Sequence, residues 1–175
     1  MPAGDSIIPA NLMEDSSFKR ADKFKLSEFN LEEIRGWTID RFYQIEVQVD
    51  FIITDYFKPE NKYEFRRIIL NSSIVTIGGK MKILRNIKSF DKKIIDKIQK
   101  ISTIRNAFAH LPVSKSVKLK GNLENIEIEK VTSQMEIMTS NGELKRKDAK
   151  ELVREFFDLN KEIREYLIGY KLTEG

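Results

Sequence analysis

His110 is the only histidine among 175 residues, and it ends the segment Arg105-Asn106-Ala107-Phe108-Ala109-His110. An imidazole changes charge between about pH 5 and 8 and can move protons near neutrality. A guanidinium is a permanent planar cation suited to carboxylate or phosphate. Around this segment Ile94, Ile98, Ile101, Ile104, Phe108 and Leu111 recur at steps of three and four, the period of an amphipathic helix. At about 100° per residue, Arg105 falls on the border of that apolar stripe and not on the lysine face. Asn106 and His110, four apart, are neighbours on one face. Ser102, Arg105, Asn106 and Ala109 cover the strip between that face and the core, and the small Ala109 permits a close approach. A structural reading stands beside the chemical one: an arginine can snorkel from a core edge, and a histidine in a last turn complements the helix dipole.

Several other chemistries are excluded or left without support. The chain has no cysteine, which removes disulfides, thiolate metal sites and a cysteine nucleophile and suits a reducing compartment. A single histidine cannot build a histidine-rich metal centre within one chain. No Gly-x-Ser-x-Gly elbow occurs, and Gly78-Gly79 lacks the Gly-x-x-x-x-Gly-Lys-Ser/Thr context of a phosphate cradle, so close packing or a tight turn explains it better. No cofactor is expected. Lysine and arginine exceed aspartate and glutamate by 31 to 27, a net charge of +4, which favours polyanions but is spread too widely to identify one. The lysines of residues 88–100 alternate with core-facing isoleucines, and no helix-turn-helix is evident, so a DNA-binding role is disfavoured. The N-terminal stretch lacks a signal-peptide apolar region and no segment reaches membrane-spanning length; the expectation is a cytoplasmic protein with no membrane partner.

The elements that must position the segment follow from periodicity and capping signals. With 41% hydrophobic and 33% charged residues the composition is globular. Residues 1–26, with Pro2, Gly4 and Pro9, read as an irregular arm, and residues 27–175 as one domain. Asn30 and Glu33 have capping-box spacing before a long helix from Leu31 to Phe57, closed by Pro59. It carries two apolar stripes, Phe42, Ile45, Val49, Ile52 and Tyr56 on one and Tyr43, Val47 and Phe51 on the other, so it needs two partners. Residues 62–70 read as a short helix and Ile77–Ile87 as another. The helix of the chemical segment runs from Asp91 to Leu111, capped by Ser89 or Asp91 and followed by Pro112. The apolar period then changes to alternation at Val117-Lys118-Leu119, Ile126-Glu127-Ile128 and Met135-Glu136-Ile137, with turn signals at Gly121-Asn122 and Asn141-Gly142. Asp148 and Glu151 repeat the capping-box spacing before a final helix carrying Leu152, Phe156, Leu159, Ile163 and Leu167. The expected fold is mainly α, a bundle of four to five helices with a small antiparallel β insertion at about 115–145, before the last helix.

An arginine followed by a polar residue and, at this spacing, by histidine resembles the Arg-x4-6-His hallmark of the HEPN superfamily. Ile104-Arg105-Asn106 with Phe108-Ala109-His110 is similar in wording to its MltR-like (mannitol repressor) branches. The likeness extends loosely upstream through residues 69–87 and leaves out the N-terminal arm and the β insertion. It implies a helical bundle that pairs as a homodimer with the two motifs facing, and in many members metal-independent RNA cleavage. On that pattern His110 would be the acid/base group, Arg105 would bind the scissile phosphate, and Asn106 would orient either. Ser102 would contact substrate. RNA, a second copy of the chain and a cognate antitoxin or regulatory protein are the partners implied, in a toxin-antitoxin or phage-defence setting. The alternative is a non-catalytic dimeric HEPN module that binds RNA or protein, or an MltR-like regulator, with Arg105 and His110 structural.

Overall fold

The computed structural model describes residues 30–122, 125–138 and 142–170. The expected N-terminal arm, and Asn141 of the second expected turn, lie outside these; Gly121 and Asn122 of the first expected turn are the last residues of the first strand. In chain order the elements are α1 (Leu31–Phe57), α2 (Lys62–Glu64) continued by a π-helical turn (Phe65–Ile69), α3 (Ile77–Asn86), α4 (Lys92–His110), β1 (Ser114–Asn122), β2 (Asn125–Met138), β3 (Leu144–Asp148) and α5 (Ala149–Gly169). The architecture is mainly helical, with a small three-stranded antiparallel sheet before the last helix.

Local chemistry sets the helix ends. Asn30 Oδ1 accepts from the backbone N–H groups of Glu32 (3.1 Å) and Glu33 (3.4 Å) at the start of α1. Its far end closes on Lys58, in the left-handed region at φ 48° and ψ 49°, whose N–H donates to Thr54 O at 2.9 Å; Pro59 then forbids continuation. Asp91 and Asp148 cap α4 and α5 by accepting from Lys93 N and Lys150 N, each at 2.8 Å. Leu111 is extended (φ −101°, ψ 145°), as the residue before a proline is pushed to be, so α4 stops at His110. Gly78 and Gly79 open α3 behind the Thr76 cap, and a Cβ on Gly79 would sit 3.1 Å from Val75 Cγ1. Of the two expected explanations, close packing or a tight turn, close packing applies at Gly79, whereas a Cβ on Gly78 would make only ordinary contact, 3.7 Å from Thr76 Oγ1.

The long helices α1, α4 and α5 pack on one another, with α3 against α1 and α4. Ile34, Phe42, Ile45, Val49 and Ile52 of α1 meet Ile94, Ile98, Ile101, Ile104 and Phe108 of α4 and Leu152, Phe156, Ile163 and Leu167 of α5 in one core. Each such side chain contributes about 1.5–3 kcal/mol on full burial. Tyr56 is exposed and departs from the stripe it was expected to continue; it stands in the last turn of α1. The second stripe is not a uniform face either: Tyr43 is exposed, Val47 is half-buried and Phe51 lies under the Arg66 guanidinium, 4.4 Å from Cζ to ring centroid.

The sheet is ordered β1-β2-β3 and antiparallel throughout. Two details go beyond the sequence pattern. Ile126–Ile128 and Met135–Ile137 belong to one strand, β2, and the third strand is Leu144–Asp148. The register of β1 on β2 slips between Lys118 and Leu119, which face Lys130 and Ile128, leaving Glu129 as the extra residue of a bulge. Met135 and Ile137 are buried, and β2 contacts α4 and α5, so the far half of β2 closes one side of the bundle.

Candidate functional site

Two contacts between antiparallel helices build the surroundings of the Arg105–His110 segment. At the start of α1, Arg35 donates from Nε to Phe108 O at 2.7 Å and from Nη2 to Leu111 O at 3.1 Å. These carbonyls belong to the last turn of α4, whose C-terminal groups lack partners within the helix, so a cation from another helix completes the end that carries His110. Two turns further along α1, Phe42 offers its ring face to Arg105, whose Cζ lies 4.5 Å from the ring centroid. Phe42 is itself fully packed.

Arg105 is half-buried, and among the described residues its guanidinium has no hydrogen-bond or ion-pair partner. Stacking holds the plane while leaving the donors at its edge free to receive an anion. Asn106 and His110 are exposed, on the side expected for them. Ser102 is placed differently from its neighbours in the motif: at 4% exposure it is packed among the core residues of α4. On α1, Ile39 and Tyr43 flank Phe42 and are exposed, Tyr43 to 62%. Five residues separate Arg105 from His110, which on an α-helix is roughly 140° around the axis. One chain therefore presents the guanidinium and the imidazole as two separate groups.

A second polar feature on α1 escaped the sequence reading. Lys80 of α3 is 1% exposed, and its Nζ sits 2.7 Å from Oδ1 and 2.9 Å from Oδ2 of Asp50, donating its hydrogen bond to Oδ2. Burial pushes the Asp50 carboxyl up to about 6, against the pull of Lys80 and with a smaller upward contribution from Glu46 and a downward one from Arg66. No local pattern could have paired residues thirty apart, each set in an apolar stretch. Arg35 was equally unmarked, since its partners are backbone carbonyls. Among the described residues no group of three or more histidine, aspartate or glutamate side chains is placed to hold a metal ion. No helix among them is long and apolar enough to cross a membrane.

Compared with protein-family models, with curated proteins and with solved structures, the chain matches none.

Proposed function

We propose that the chain is a HEPN-type endoribonuclease that cleaves RNA without a metal ion, in a site shared between two copies. The observation that carries this reading is the state of Arg105: a guanidinium fixed against Phe42, half-buried, with no partner among the described residues. Such a group is preorganised for a phosphate, and preorganised donors stabilise developing charge more than mobile ones do.

In the proposed reaction an imidazole takes the proton of the ribose 2′-hydroxyl, whose oxygen attacks the adjacent phosphorus. A protonated group gives a proton to the departing 5′-oxygen, leaving a 2′,3′-cyclic phosphate and a 5′-hydroxyl. Arg105 neutralises the phosphorane, and Asn106 orients phosphate or imidazole. Because Arg105 and His110 diverge around α4, a twofold homodimer with facing motifs supplies both kinds of group to one phosphate. The exposed Ile39 and Tyr43, beside the Arg105 stack, provide apolar surface for that pairing. A cytoplasmic role in toxin-antitoxin or phage defence, with an antitoxin or regulator as partner, extends the same proposal.

Rates of RNA cleavage in EDTA test it. His110→Ala should lose about 10² to 10⁴ in rate, and Arg105→Lys about 10² to 10³. Full activity in His110→Ala would leave the non-catalytic HEPN module, binding RNA or protein, as the better account; there the Phe42 stack would be packing alone.

A further inference from the structure

At the end of α1 remote from His110, six large apolar side chains are exposed within one short stretch of chain: Tyr56, Phe57, Tyr63, Ile68, Ile69 and Ile74. Ring contacts link the end of α1 to the start of the π-helical turn. Tyr56 and Phe57 rings lie 5.2 Å apart edge to face, and Phe57 and Phe65 rings 6.4 Å apart. Phe65 begins the π-helical turn, which carries Ile68 and Ile69. Scattered exposed apolar residues need no explanation, whereas a contiguous group marks a contact surface. π-Helical turns are uncommon and are frequent at functional sites.

The charges in this stretch indicate what covers it. Lys62 pairs internally with Asp55 at 3.0 Å. Arg66 and Arg67 are stacked on the rings of Phe51 and Tyr63, with Cζ 4.4 and 6.0 Å from the centroids. Neither has a carboxylate within ion-pair distance among the described residues, although Arg66 also feels the field of Asp50. Glu60 and Glu64 are exposed and likewise have no ion-pair partner there. Two guanidinium groups and two carboxylates of this stretch therefore have no ion-pair partner among the described residues. A polyanion would be repelled by the carboxylates, and an acidic peptide would satisfy only the arginines. A second copy, turned by a twofold axis, answers each charge with its opposite.

We propose that this surface pairs with the same surface of a second copy of the chain. It lies about 33 Å along α1 from Arg35, at 1.5 Å per residue, so pairing here does not bring two Arg105–His110 segments together. It is a second interface, independent of the ribonuclease reading.

Sedimentation equilibrium over micromolar concentrations tests the pairing, with circular dichroism as the check on folding. Ile69→Glu places a charge on an exposed position and should weaken association at least tenfold. Glu64→Arg and Arg67→Glu should each weaken it by unbalancing the charges, and the double exchange Glu64→Arg/Arg67→Glu should restore it. An anionic partner would instead give opposite effects for the two single exchanges. RNA cleavage by Ile69→Glu should equal that of the wild type. The proposal is overturned if Ile69→Glu associates like the wild type, if the single exchanges act in opposite directions, if the double exchange fails to recover, or if the wild-type chain is monomeric throughout.

Discussion

The Arg105 guanidinium rests on Phe42, and substitution can separate packing from the proposed phosphate binding. Arg105→Lys keeps an aliphatic stem and a positive charge but loses the planar, two-pronged donor. Its thermal stability should stay within about 1 kcal/mol of wild type, the scale of a cation–π contact, while cleavage falls. Equal loss of folding and activity would mean that the stack, and not phosphate binding, is the residue's purpose. Arg35 makes the complementary case, because it touches backbone only. Arg35→Met removes the donors to Phe108 O and Leu111 O and should cost about 1.5–3 kcal/mol in urea denaturation, the range for hydrogen bonds from a charged group. Faster amide exchange should appear at the end of α4. A variant with wild-type stability would show that water replaces Arg35 without loss.

Between elements, two carboxylates respond to pH in opposite senses. Asp50 joins α1 to α3 through Lys80, and burial raises its carboxyl from 3.8 to about 6. The folded state then binds this proton more tightly than the unfolded state does. The Asp50 contribution is fully present below about pH 4 and is lost as pH rises through 6. Glu155 joins α5 to α4 and β3 through Lys100 at 2.6 Å and Lys147 at 3.2 Å. Burial raises its carboxyl, but the two lysines outweigh it and hold the group below 4.5; its contribution is present above that value and is lost as pH falls. In denaturation between pH 4 and 6, Asp50→Asn should make the slope of stability against pH more positive, and Glu155→Gln should make it less positive. Slopes of the same sign of change would refute the assignment. Asp50→Asn also strands the buried Lys80 ammonium, at a cost of about 3–5 kcal/mol, and adding Lys80→Met should recover most of it.

At the scale of the whole molecule, the helices were legible because their apolar period and caps agree: Asn30, Asp91 and Asp148 each sit where a buried stripe begins. The sheet was legible only as a change of period. β3 reads Leu-Lys-Arg-Lys-Asp, with no alternation to mark it, and is held as a strand by its ladder to β2. The bulge at Glu129 shifts the two-residue phase within β2, so Ile126 and Ile128 fall on even positions and Met135 and Ile137 on odd ones. The candidate site was legible in part: Arg105, Asn106 and His110 could be placed on α4 from spacing, whereas Phe42 and Arg35 reach them only through the antiparallel packing of α1. If the chain cleaves RNA as proposed, the ends of the cleaved strands identify the reaction. Nuclease-free protein incubated with labelled RNA in EDTA should leave 2′,3′-cyclic phosphate and 5′-hydroxyl ends, and His110→Ala, folded and associated like the wild type, should leave none. Intact RNA with the wild-type protein, or the same ends in equal yield from His110→Ala, would contradict the account.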